Sequence, residues 1–218
     1  MKELCQSAPR RTRARGRPCA NESAARIELL LDIAAEVFTE CGYKEASVNE
    51  IARRAGASKQ TLYLRFPSKA KFFEAVLRRE TESAHQVFSD ILRPDQPVSK
   101  VLEEFGKEAI RLITPERSQR LIRTISGAVE AFPSLAKELW QLIYNDGIRT
   151  LEDYLAGQSQ VGVLGQIDPE IAATTFLGLT MGTYFLPAQL GVEQASLKDR
   201  RASVKEAVRV FLCAYSAV

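Results

Sequence analysis

Between Ser58 and Arg65 the chain sets out Ser58, Lys59, Gln60, Thr61, Tyr63 and Arg65, a dense run of hydrogen-bonding and charged side chains. Their chemistry is that of reading a surface. A glutamine amide pairs bidentately with adenine N6 and N7, a lysine reaches guanine O6 and N7, and a threonine methyl meets a thymine methyl. Serine and tyrosine hydroxyls, with the free amides of a helix N-terminus, suit phosphate oxygens and fix register without carrying sequence. One such base contact discriminates by about 1–3 kcal/mol, so a single helix cannot specify a genomic site. A dimer whose half-sites lie a multiple of about 34 Å apart is the usual solution.

Ser47 to Phe66 supplies the scaffold for these groups. Ser47 followed by Glu50 predicts a capping box, and Val48, Ile51, Ala52 and Ala55 form the buried side of a short helix. Gly56 supplies a sharp turn, Ser58 caps the next helix, and Leu62 and Phe66 point inward. Two helices joined through a glycine-containing turn make a helix-turn-helix pattern over residues 47–66. A helix from Ser23 to Glu40 precedes it, with Ile27, Leu30, Leu31, Ala34, Val37 and Phe38 on one face, and Gly42 is expected to end it in the left-handed conformation. Ahead of that, residues 1–22 form a basic arm carrying Arg13, Arg15 and Arg17. Beside a helix-turn-helix, such an arm suits a phosphate track or a minor groove. After the motif, Pro67 stops the chain, Ser68 caps, and a helix from Lys69 toward Leu92 spans about 35 Å. It is long enough to act as a lever into the rest of the chain.

Beyond Arg93-Pro94-Asp95-Gln96-Pro97 the pattern stays helical. Helices are expected over Val98–Ile113, from Pro115 to Phe132, and from Pro133 through Leu155. A loop is expected from Gly157 to Gly165. Asp168-Pro169-Glu170 is a strong helix start, expected to run to Phe185, and a last helix begins near Lys198. No strand pair emerges, so the fold class is all-α.

Charge and composition narrow the function. Residues 1–80 carry 16 Lys/Arg against 10 Asp/Glu, and the remainder 14 against 17. A basic first part on a mildly acidic body points to a polyanion partner for the first part alone. The four cysteines, Cys5, Cys19, Cys41 and Cys213, have neither CxxC spacing nor nearby histidine, so no metal or other cofactor is expected. The single histidine, His85, and the lack of a Gly-rich phosphate loop or nucleophile elbow argue against an enzyme. With no signal peptide and no apolar run of about 20 residues, no membrane is expected and the protein should be cytoplasmic.

Residues 34–77, AAEVFTECGYKEASVNEIARRAGASKQTLYLRFPSKAKFFEAVL, resemble the TetR/AcrR family of one-component transcription regulators. The resemblance rests on Phe-x-x-x-Gly-Tyr, Ser-x-x-x-Ile-Ala, Ala-Gly-Ala-Ser, Thr-Leu-Tyr-x-x-Phe and Ser-Lys in fixed order. It implies an N-terminal three-helix DNA-binding domain, residues 23–83, and a C-terminal helical ligand-binding and dimerisation domain, residues 84–218. It places the recognition helix at Ser58–Leu64, with Lys59, Gln60 and Thr61 toward the major groove and Ser47, Tyr63 and Lys69 on phosphates. Leu64 departs from the family pattern, in which an aromatic or histidine is common there, and Arg65 follows it.

Two further sites are expected in the body. Gly178 and Gly182, four apart, would let helix backbones approach closely. With Val208 and Phe211 of the final helix they are the expected homodimer seam. Phe105, Phe132, Trp140, Tyr144, Phe176, Tyr184 and Phe185 would line an apolar effector pocket, although an aromatic at helical spacing is more often plain core. The expected function is a sequence-specific DNA-binding regulator, a repressor released from a palindromic double-stranded operator by a small-molecule effector. The alternative is a helical DNA-binding protein of nucleoid type, without sequence choice.

Overall fold

The computed structural model describes residues 20–129, 132–134, 137, 140–141, 144–192 and 197–217. Arg13, Arg15 and Arg17 lie outside them. Helix α1 (Ala20–Glu45) buries the expected stripe of Leu31, Ala34, Val37 and Phe38. Gly42 ends its regular run as expected, at φ 77° and ψ 166°, and a short helical stretch to Glu45 follows the kink. That combination is an extended conformation at positive φ, essentially reserved to glycine, rather than the left-handed helical one expected. The swing it permits buries Tyr43, whose ring centroid lies 5.1 Å from that of Phe73 and 4.7 Å from that of Phe132.

Helices α2 (Val48–Arg54) and α3 (Lys59–Arg65) are joined through Gly56 at φ 59°, where the left-handed region carries no Cβ penalty. Helix α4 (Lys69–Ile91) then runs out of this module. Its first turns bury Phe72, Phe73, Val76 and Leu77 against α1, while Phe88 near its end belongs to a second core. Two hydrophobic cores therefore meet along one helix, which gives the expected lever its material basis.

The body comprises α5 (Val98–Ile113), α6 (Glu116–Ala128), a π-turn at Tyr144–Ile148 running into α7 (Arg149–Gln160), α8 (Pro169–Leu190) and α9 (Leu197–Tyr215). Helix α8 is apolar on nearly every side; one face packs against α5, α7 and α9, and the other is left on the surface. Helix α6 does something the sequence pattern hides. It lies along α1, and its Leu121 and Ala128 join the first core, not the second. The Thr124 hydroxyl is 3.3 Å from the Phe38 carbonyl, which it donates to across the same contact.

Several boundaries differ from expectation. Helix α6 stops at Ala128, not Phe132. Helix α7 continues through Gly157 to Gln160, because Leu155 and Gln158 on either side are buried. That packing outweighs the roughly 1 kcal/mol helical cost of one glycine. Helix α8 passes through Pro187 to Leu190, with Tyr184 buried just before it. Asp168 caps α8 as expected, its carboxylate accepting from the Ile171 amide at 3.1 Å. Among the described residues the one strand-like contact is a bridge between Leu164 and Ser216. No described helix is long and apolar enough to cross a membrane.

Candidate nucleic-acid interface

Three serines start the three helices that follow α1. Ser47 accepts from the Asn49 amide at 3.2 Å, Ser58 from the Thr61 amide at 3.0 Å, and Ser68 from the Lys71 amide at 3.1 Å. The reciprocal half of the expected capping box is absent. Glu50 turns instead to Arg53, at 2.8 and 2.7 Å, and to Arg54, at 2.8 Å. Two guanidinium groups one turn ahead offer charge-assisted bonds that a single backbone amide does not match. Hydrogen bonds from Arg53 and Arg54 hold the Glu50 carboxyl down to about 2. Arg54 also reaches Glu40 at 2.7 Å, tying α2 to α1. These pairs are exposed, so their worth is orientation more than stability.

Helix α3 is anchored by one fully buried side chain, Leu62. Phe66 adds a stacked contact on Phe72, ring centroids 4.3 Å apart and planes within 3°. Lys59, Gln60, Thr61, Tyr63, Leu64 and Arg65 are all exposed. They fall into rows four residues apart, neighbours on a helix surface. Lys59 lies over the Tyr63 ring, its ammonium 5.6 Å from the centroid. Gln60 is in row with Leu64, and Thr61 with Arg65. The Thr61 and Ser58 hydroxyls are 2.7 Å apart, which fixes the Thr61 methyl relative to the helix start. Leu64 is 81% exposed, an apolar side chain held out among polar ones.

Lys69 is placed otherwise than expected for a free phosphate ligand. Its ammonium donates to the Lys44 carbonyl at 2.9 Å and the Ala46 carbonyl at 3.2 Å, and stands 4.9 Å from the Tyr43 ring centroid. It clasps the α1–α2 link to the start of α4. The signal for this role was in the sequence as Tyr43 and Lys69, but only the fold brings them together. Arg117 was likewise missed. From the start of α6 it reaches Asp32 of α1 and Glu80 of α4, each at 3.0 Å, while Arg79 contacts the same two carboxylates at 3.0 and 2.7 Å.

The expected pocket aromatics do not converge on one cavity. Phe105 and Phe176 are core, in a chain of rings with Phe88 and Phe211, and Tyr184 is also buried. Trp140 is about half exposed, and Tyr144 beside it donates to Glu152 at 2.9 Å. Phe132 packs on Tyr43 in the first core, and Phe185 faces out. The cause is general: an aromatic in a helical stripe gains most by filling a core between helices. The expected seam divides in the same way. Gly178 and Gly182 are on the surface with open space beyond them, whereas Val208 and Phe211 point into the subunit. The outward apolar groups are instead Ile171, Leu179, Phe185 and Leu186 of α8 and Val210 of α9.

A helix-turn-helix module with a polar outward helix, joined by a long shared helix to an all-helical body, defines a class of DNA-binding transcriptional regulators. Residues 30–76 match the family of bacterial regulatory proteins, tetR family, and residues 100–217 match the AefR-like transcriptional repressor C-terminal domain. The chain belongs to the TetR family. It is 27% identical over 187 residues to the HTH-type transcriptional repressor BdcR of Escherichia coli (strain K12), covering 85% of this chain and 90% of that protein. Its fold matches a TetR-family regulator from Mesorhizobium loti with a TM-score of 0.81 at 22% identity, covering 89% of this chain and 98% of that one. The flavonoid-responsive regulator FrrA superposes with a TM-score of 0.69 at 28% identity, covering 88% and 98%. The protein is a DNA-binding transcriptional regulator.

Proposed function

We propose that the protein is a homodimeric repressor that holds a palindromic operator and releases it when a small-molecule effector binds its body. Residues 23–83 are the DNA-binding unit and 84–218 the regulatory unit, whose α6 packs into the first core. The observation that carries the reading is α3 itself, rooted by Leu62 and presenting Lys59, Gln60 and Thr61 outward. These three meet base edges, and Ser47, Ser58, Tyr63 and Arg65 meet phosphates. Lys69 acts through the clasp, and Arg13, Arg15 and Arg17 of the arm add phosphate contacts. Leu64 offers an apolar contact at a position where the family pattern commonly has an aromatic or histidine.

The open strip around Gly178 and Gly182, with Leu179, Phe185, Leu186 and Val210, is the surface through which two copies meet. An exposed apolar patch of that kind marks an interaction site. Ligand control is supported by the named responsiveness of FrrA and by α4, which spans both cores. Coupling of typically about 1–3 kcal/mol between effector and operator would suffice.

The test is Gln60→Ala, measured on a site selected from random DNA and on unrelated DNA. Affinity for the selected site should fall by about 1–3 kcal/mol, with nonspecific binding almost unchanged. Equal loss on both would refute base reading by Gln60. Selection that enriches no sequence at all would support a protein that binds DNA without sequence choice.

A further inference from the structure

We propose that an organic anion, a carboxylate or phosphate head on an apolar body, binds in the cleft between α5, the α5–α6 link and the start of α9. This rests on the reading of the protein as effector-controlled and names the effector's chemical class. The cleft has a volume of about 500 Å³, within the range of small-molecule sites. Its walls combine Ile110, Pro115 and Val204 with Lys107, Arg111, Arg200 and Arg201, and no carboxylate among the described residues lines it. Glu103 holds Lys107 and Glu108 holds Arg111, at 2.7 Å from its Nε, so these two cations are partly neutralised from outside the cleft. Arg201 has no ion-pair partner among the described residues. Guanidinium groups bind carboxylate and phosphate through paired donors, and Ile110 and Val204 are buried side chains that offer an apolar floor.

The position of the cleft links it to DNA binding. Thr114 and Pro115, which line it, lead directly into α6. The buried Gln119 side chain donates to the Thr114 carbonyl at 2.7 Å, fixing the link to the helix. Two residues past Pro115, Arg117 bridges Asp32 of α1 and Glu80 of α4. An anion that draws the cations of α5 and α9 together moves the start of α6. Through Arg117 it then shifts the two helices that carry the helix-turn-helix.

The full-length protein is titrated calorimetrically with inorganic phosphate, decanoate, decyl phosphate and, as the uncharged control, decanol. At least one amphiphilic anion should bind at one site per chain, and decanol should not compete with it. Arg111→Gln with Arg201→Gln should weaken that binding by at least about tenfold, while Arg120→Gln on α6, away from the cleft, leaves it unchanged. Binding of none of the three anions, or equal binding to the double variant, would overturn the proposal. Affinity for the selected DNA site is followed alongside. An anion that binds the cleft and lowers DNA affinity supports the effector role, and one that binds without changing it refutes that role. If a cell extract releases DNA from wild type and double variant equally, effector control stands and this site falls. Weaker DNA binding by the double variant without any organic anion would assign these cations to DNA phosphates instead, overturning the proposal.

Discussion

Replacing Lys69 by Met separates two roles that a lysine at this position can play. In the structure its ammonium spans the Lys44 and Ala46 carbonyls and the Tyr43 ring. Removing a hydrogen bond to a charged group costs about 1.5–3 kcal/mol, and an exposed cation–π contact adds about 0.5–1 kcal/mol. Lys69 is half-buried, so water re-solvates the freed carbonyls in part, and a loss of about 2 kcal/mol is expected. For a chain of this size that lowers Tm by about 4–8 °C. The companion measurement is the salt dependence of DNA binding. A clasp acts by shape, so affinity should drop while the slope of log K against log salt stays constant. A direct phosphate contact would instead reduce the slope by about 0.9. Unchanged Tm together with that smaller slope would refute the clasp and restore Lys69 to the phosphate contacts.

Three other changes probe the framework. Gly42→Ala meets no atom within 4 Å, so its whole cost is backbone, about 1–3 kcal/mol in urea denaturation. Thr180→Val removes a fully buried hydroxyl that has no hydrogen-bond partner among the described residues, and should raise stability by about 1 kcal/mol; a loss would show that the hydroxyl is satisfied. The Glu50 carboxyl sits at about 2, below its ordinary 4.5. Its contribution is therefore present above pH 4.5 and lost as pH falls toward 2. Glu50→Gln should flatten that part of the stability profile between pH 4.5 and 2, measured by thermal melts.

The helix-turn-helix was legible because its determinants are local. Ser47, Ser58 and Ser68 each cap the helix that begins beside them, Gly56 makes the turn, and the burial of Leu62 follows from a helical period. Where local rules competed with one another, expectation failed. Glu50 had a backbone amide and two arginines within reach, and the arginines took it. Helix propensity predicts stops at Gly157 and just past Phe185, yet packing carries both helices further. The body was harder for a different reason. A helical stripe of aromatics specifies that a face is buried, not against what, so Phe105 and Phe176 entered the core while Trp140 turned outward.

By itself the chain's residue order determined three things: an all-helical fold, the starts of α2, α3 and α4, and the exposure of Lys59, Gln60 and Thr61. These depend on interactions within a turn or two of helix, whose partners are a few residues apart. Only the tertiary structure decided that Lys69 returns to Lys44 and Ala46, that Arg117 joins α6 to α1 and α4, and that Lys107, Arg111, Arg200 and Arg201 surround one cleft. Those partners lie from over twenty to more than ninety residues apart in sequence. Their meeting depends on how whole helices pack, because side-chain periodicity gives a helix its faces without choosing its neighbour.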